Sequence, residues 1–196
     1  MTDGPKFSVF TPSHNPRYLH ECLASLQTQT EPDWEWVVML NRGATWAPPL
    51  DEKRIRIYST QEGMGVGAVK AAACARALGE ILVELDHDDL LLPTALERIG
   101  EAFDRHPEAS LVYSDWGQIL EDGSPDDSRF NAEHGWNYRQ MQLGERELIY
   151  AEALAPTPHN VSYIWYAPNH VRAFRKDLYE RPEGMTRAGS YSTIRT

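Results

Sequence analysis

The 196-residue chain has only two cysteines, Cys22 and Cys74, in separate helical patterns and with no C-x-x-C pair. A disulfide framework or a structural zinc site needs more thiols than that, so neither is expected, and a reducing, cytoplasmic setting is the natural reading. Long apolar runs are missing too. Nothing approaches the ~20 apolar residues of a bilayer span, and Met1-Thr2-Asp3-Gly4-Pro5-Lys6 has no apolar signal core. Work on membrane-bound material would therefore bring the protein to the inner face of the membrane as a peripheral visitor. Basic charge is scarce: 19 Lys and Arg stand against 29 Asp and Glu, for a formal net charge of -10. Nucleic acid and anionic membrane are held through an excess of Lys and Arg, so bulk electrostatic binding to either is excluded. An anionic ligand would have to be captured locally, by a metal or a few donors.

What is present suits one globular domain with a sizeable core, since 41% of residues are hydrophobic. Phe7-Ser8-Val9-Phe10-Thr11 reads as a buried strand ended by Pro12-Ser13-His14-Asn15-Pro16. Leu19, Cys22, Leu23 and Leu26 then fall at i, i+3, i+4 and i+7, the stripe of an amphipathic helix. Strands are predicted at 34–40, where Trp34 and Trp36 are expected to pack one on each face, and at 55–58. Gly63, Gly65 and Gly67 form a turn that opens an alanine-rich helix over 68–78, and Gly79 ends it before a strand at 81–85. Pro93 suits the first turn of a helix carrying Leu92, Leu96, Ile99 and Phe103. Strands joined by helices predict an α/β fold with a mainly parallel sheet, whose ligands bind beyond the carboxyl ends of the strands. Later strands are predicted at 111–114, 161–166 and 171–174, with a turn at Glu121-Asp122-Gly123 and a long polar loop over 126–139. Residues 1–115 form the core, 116–184 an α+β extension of the same domain, and 185–196 a tail without apolar periodicity, expected to be disordered.

The most informative stretch is Glu84-Leu85-Asp86-His87-Asp88-Asp89, after the apolar run Ile81-Leu82-Val83. Continued as a strand, it points Asp86 and Asp88 the same way and His87 the other, so the pair can share one hard divalent cation. The plainer alternative is a solvated loop in which one Asp caps the next helix.

Four motifs in order carry a resemblance: Thr11-Pro12-Ser13-His14-Asn15, Gly65-Val66-Gly67-Ala68-Val69-Lys70, Leu85-Asp86-His87-Asp88-Asp89-Leu90-Leu91-Leu92-Pro93 and Tyr113-Ser114-Asp115. Over roughly residues 7–184 the chain is similar to the nucleotide-sugar-binding core of the family 2 glycosyltransferases, which have the GT-A fold. The resemblance implies a Mn2+- or Mg2+-dependent inverting transferase that builds a polysaccharide or other glycan. Its donor would be a nucleotide-diphosphate sugar, a UDP-sugar ahead of a GDP- or dTDP-sugar, and its acceptor a glycan or lipid-linked hydroxyl. Pro12, Ser13 and His14 would lie against base and ribose, Asn41 would stand where the family often reads the base with Asp, and Lys70 would face the nucleotide. Asp86 and Asp88 would contact ribose and metal. The family's general base is an acidic residue beyond the segment matched by 179–184, yet after Glu183-Gly184 this chain has no Asp or Glu. Asp115 is the candidate substitute; the alternative is an inactive nucleotide-sugar-binding module or truncated remnant. Trp116, Trp165 and His170 are the acceptor-side candidates, and self-association into a homo-oligomer is left open.

Overall fold

The computed structural model describes residues 4–49, 52–130, 132–163, 168–179 and 192–195. Its centre is β1 (Phe7–Ser13), all seven residues of which are buried. Parallel partners flank it, β2 (Trp34–Leu40) on one side and β4 (Ile81–Glu84) on the other, and β3 (Ile55–Ser59) extends the sheet beyond β2. Beyond β4 lies β9 (Arg172–Arg175), antiparallel both to β4 and to β5 (Ala109–Tyr113), and β10 (Ser192–Arg195) runs parallel to β5 at the edge. The seven-stranded order is β10-β5-β9-β4-β1-β2-β3.

Both faces are covered, which is why β1, β2 and β4 read as near-continuous apolar runs. Helices α1 (Leu19–Gln27) and α3 (Ala95–Arg105) supply Leu19, Cys22, Leu23, Leu26, Leu96, Ile99 and Phe103 to one core, where they meet Phe7, Val9, Trp36 and Val83. Helix α2 (Val66–Cys74) supplies Val69, Ala73 and Cys74 to the other, against Phe10, Val37, Met39 and Leu82. Each Leu, Ile, Val, Phe or Met side chain among them contributes about 1.5–3 kcal/mol on burial. Trp34 and Trp36 both lie in the first core, contrary to the expectation of opposite faces. They are two residues apart, and a strand of period two sends such a pair the same way. Trp36 is tied further by its indole N–H, which donates to Thr11 Oγ1 at 2.8 Å.

The amino end of β1 is fastened by a buried polar knot. Glu35 accepts from Ser8 Oγ at 2.6 Å and from the Leu78 amide at 2.6 Å, and pairs with Arg56 at 2.7 Å. Gly79 is required there, because a Cβ would come within 2.6 Å of the Ser8 backbone nitrogen.

A second sheet, β6 (Trp116–Gly117), β8 (Arg146–Ala151) and β7 (Tyr138–Leu143), was not foreseen, and β7 begins inside the expected polar loop. Gly144, at φ 61°, turns β7 into β8. Trp116, Phe130, Trp136 and Ala151 give this sheet a small core of its own. Three more expectations change. The strand predicted at 161–166 is replaced, over the described residues, by helix α4 (Pro158–Tyr163), opened by a proline at its first position. The segment 116–184 sends β9 back into the large sheet, ahead of the short helix α5 (Lys176–Tyr179). Residues 192–195 of the expected disordered tail pair with β5. Among the described residues no helix is long and apolar enough to cross a membrane.

Candidate functional site

Because β1, β2 and β4 are parallel, Ser13, Asn41 and the segment after Glu84 all emerge at one end of the sheet. Antiparallel β9 starts at that same end: Arg172 is in register with Glu84, and His170 comes two residues before it. Four separate parts of the chain therefore bring polar groups to one place.

The strand ends at Glu84, and residues 86–89 form a turn in which the Asp89 amide donates to the Asp86 carbonyl at 3.1 Å. The alternation expected to pair Asp86 with Asp88 thus does not extend that far. Asp86 instead joins buried Glu84 and half-buried His170: each offers one metal-ligating atom, and the three atoms lie within 4.8 Å of one another. Asp88 is exposed and outside this group. The His170 Nε2 lies 3.4 Å from Asp86 and 3.5 Å from Glu84, while its Nδ1 lies 3.0 Å from Asp89 Oδ2. Cations complete the cluster. Lys70 pairs with Glu84 and, at 3.1 Å, with Asp86; Arg172 donates to Glu84 at 2.8 Å and lies against the His170 ring.

These contacts set the protonation states. Burial works against the Glu84 carboxylate, but hydrogen bonds from His170 and Lys70 and the Arg172 charge outweigh it and hold the group down at about 2. Burial likewise disfavours an imidazolium at His170, yet Asp89 and Glu84 overcome it and raise the ring to about 9. Lys70 is also raised, its desolvation overcome by Glu84 and Asp86. Three carboxylates (Glu84, Asp86, Asp89) and three cations (Lys70, Arg172 and the His170 imidazolium) therefore balance. An ion binding at His170 Nε2 would have to displace a proton.

Beside this cluster two polar atoms lack partners. Ser13 is fully buried and its Oγ makes no hydrogen bond; Asn41 Oδ1 is likewise unpartnered, although the Asn41 amide donates to the Ser13 carbonyl at 2.9 Å. A buried polar atom left so costs roughly 1–3 kcal/mol, a cost that a ligand offering a partner removes. His14 is exposed and meets His87 edge to face at 4.9 Å, and the His87 Nδ1 is 3.3 Å from the Pro12 carbonyl. Arg42, next to Asn41, holds the left-handed φ of 53° at the rim.

The other sequence candidates divide. Asp115 accepts from the Ala153 amide at 2.7 Å, which fixes one oxygen at the junction of the two sheets. Trp116 packs edge to face on Trp136 at 6.1 Å, so much of its ring serves the small core. Trp165 and the segment 180–191 lie outside the described residues. Glu84 and Arg172 were missed as site residues. The signal for Glu84 was a carboxylate inside an apolar strand, a placement that requires paired charge; Arg172 carried none without knowledge that β9 lies beside β4.

A family model described as glycosyl transferase family 2 matches residues 8–161. The uncharacterized protein y4gI of Sinorhizobium fredii is 29% identical over 99% of this chain and 20% of its own length. The O-antigen biosynthesis protein RfbC of Myxococcus xanthus is 32% identical over 59% of this chain and 10% of its own length. The chain thus spans a fifth or less of these two relatives. Among solved structures, S. aureus TarS 1-349 in complex with UDP superposes with a TM-score of 0.60 at 19% identity, over 89% of this chain and 48% of that one, a likeness of fold.

Proposed function

The chain belongs to glycosyl transferase family 2, and from that premise we propose that it binds a nucleoside-diphosphate sugar at the carboxyl ends of β1, β2 and β4 and transfers the sugar to a hydroxyl of a glycan or lipid-linked acceptor. The observation that carries the reading is the meeting of Glu84, Asp86, His170 and Lys70 beside the unpartnered Ser13 and Asn41. Asn41 Oδ1 is a free acceptor with an amide donor on the same group, a match for the imide N–H and carbonyls that uracil and thymine share, and UDP keeps the 2′-hydroxyl that dTDP lacks, so UDP is the preferred nucleotide. The Ser13 hydroxyl and the Asp86 carboxylate suit ribose hydroxyls. Lys70 and Arg172 bring fixed positive charge towards the diphosphate in a molecule that is otherwise anionic.

The donor set also fits a divalent ion. Two carboxylates and an imidazole suit Mn2+ better than Mg2+, which prefers oxygen ligands throughout. Asp86, His170 and Glu84 would hold the ion, with Asp88 approaching from the exposed side of the turn. When bound, it stabilises the negative charge that develops on the departing diphosphate. In the transfer the acceptor oxygen forms a bond to the anomeric carbon as the bond to the phosphate oxygen breaks on the opposite face, which inverts the centre. The hydroxyl proton goes to a carboxylate, here assigned to Asp115, whose second oxygen is left for that task when Ala153 holds the first.

Thermal stability measured with UDP, GDP and dTDP, each with and without Mn2+, tests the reading. A shift that is largest for UDP and larger with Mn2+ supports it. No shift with any nucleotide overturns it, and nucleotide binding without turnover over any acceptor reduces the chain to a binding module.

A further inference from the structure

The turn that carries Asp86 and Asp89 is fastened from outside, by one stripe of helix α1. Cys22, Ser25 and Gln29 fall at i, i+3 and i+7 on that helix and the residues just past its end, so they share a face. All three address the segment between β4 and α3. The Cys22 Sγ lies under three converging carbonyls, those of Asp89 at 3.4 Å, His87 at 3.5 Å and Asp86 at 4.0 Å. The Ser25 hydroxyl donates to the Cys22 carbonyl at 2.7 Å and accepts from the Leu91 amide at 3.4 Å. Gln29 uses both ends of its amide: Nε2 donates to the Leu92 carbonyl at 2.9 Å and Oε1 accepts from the Leu96 amide at 3.1 Å. One residue further on, the Thr30 amide donates to the Pro93 carbonyl at 2.8 Å. The segment's own backbone adds the Asp89-to-Asp86 bond and one from the Ala95 amide to the Leu92 carbonyl at 2.9 Å.

We infer that Cys22 and Gln29 are positioning residues: the polar stripe of α1 holds the backbone of residues 86–96 so that the Asp86 carboxylate meets His170 Nε2 in ion-binding geometry while Asp89 orients the ring from Nδ1. This rests on the reading of the acidic cluster as a cation and diphosphate site. The buried Cys22 thiol suits the task because its S–H is a donor set under carbonyls that can only accept. A hydroxyl at the same place would still donate, and a methyl group would not. Loss of the supporting hydrogen bonds behind metal ligands commonly weakens metal affinity by roughly 10- to 100-fold.

The test compares the wild type with Cys22→Ala, Cys22→Ser and Gln29→Ala. Mn2+ affinity is read from the spin-resonance signal of free Mn2+, overall stability from urea midpoints, and local opening from hydrogen exchange at the 89, 91 and 96 amides. The expected result is roughly tenfold weaker Mn2+ binding in Cys22→Ala and Gln29→Ala, with faster exchange at those amides and affinity largely restored in Cys22→Ser. Unchanged Mn2+ affinity in Gln29→Ala, whatever the midpoint, overturns the positioning role and leaves the cation site standing. If Cys22→Ala does not fold, Gln29→Ala and Cys22→Ser still decide. A wild type that takes up no Mn2+ while those amides stay protected overturns the cation site itself, and the positioning role with it.

Discussion

Raising the pH from about 6 to about 10 should remove the His170 proton from the folded protein and weaken the fold measurably. The ring's folded pKa is raised from 6.5 to about 9. A raised pKa contributes stability that is fully present below the unfolded value and is lost as pH climbs through the folded one. The gap is about 2.5 units, or at most about 3.5 kcal/mol at roughly 1.4 kcal/mol per unit. His170 is 27% exposed, so solvent screening trims that to about 2 kcal/mol. With a urea slope of about 2 kcal/mol per molar, the midpoint should fall by about 1 M across this window. Urea titrations of the wild type and a His170→Gln variant, followed by tryptophan fluorescence at several pH values, make the comparison. Surface groups titrate alike in both proteins, so the difference between them isolates the ring. The variant should start less stable at about pH 6 and stay nearly flat. Parallel loss in the two proteins would refute the claim that an imidazolium bridges Asp89, Asp86 and Glu84.

Asp86→Ala should remove the Mn2+-dependent part of the nucleotide-induced thermal shift and leave the metal-free part smaller but present; an unaltered Mn2+ increment would show that Asp86 is not a ligand. Mn2+ affinity should rise about tenfold per pH unit below about pH 9, since a proton must leave His170, and calorimetric titrations in buffers of differing ionisation enthalpy should register about one proton released. Asp115→Asn should lower kcat by roughly 100- to 10,000-fold with little change in donor KM if Asp115 takes the acceptor proton; near-normal turnover in a transfer assay would return the residue to its bond with Ala153 alone. Leu26→Ala, in the fully buried layer between α1 and β1, should cost about 2–5 kcal/mol in chemical denaturation without altering nucleotide preference.

The parts of this structure that the sequence announces are those where burial imposes a period. Leu19, Cys22, Leu23 and Leu26 foretell α1, and the apolar runs at 34–40 and 81–84 foretell central strands, because both faces of each are covered. The hairpin of β7 and β8 was invisible for the converse reason: Arg139, Gln140 and Gln142 are exposed, so no alternation marks that strand. The acidic motif stood out in the sequence as a candidate site, and its detailed geometry did not. Projecting Asp86 and Asp88 from a strand failed because the ladder stops at Glu84, and the turn beyond it takes its shape from hydrogen bonds to α1. His170 and Arg172 lie 84 and 86 residues after Asp86 and Asp86's neighbour in space is fixed only by topology. No local pattern can report that pairing.

The reversed strand β9 bridges β4 and β5 and also delivers His170 and Arg172 to the acidic turn. Assembly of the sheet and assembly of the charge cluster are therefore a single event. During synthesis, a nascent chain that has passed Tyr113 but not yet His170 exposes a cluster of negative charge that Lys70 only partly matches and an unbridged gap between two strands, and both are resolved when residues 170–175 leave the ribosome.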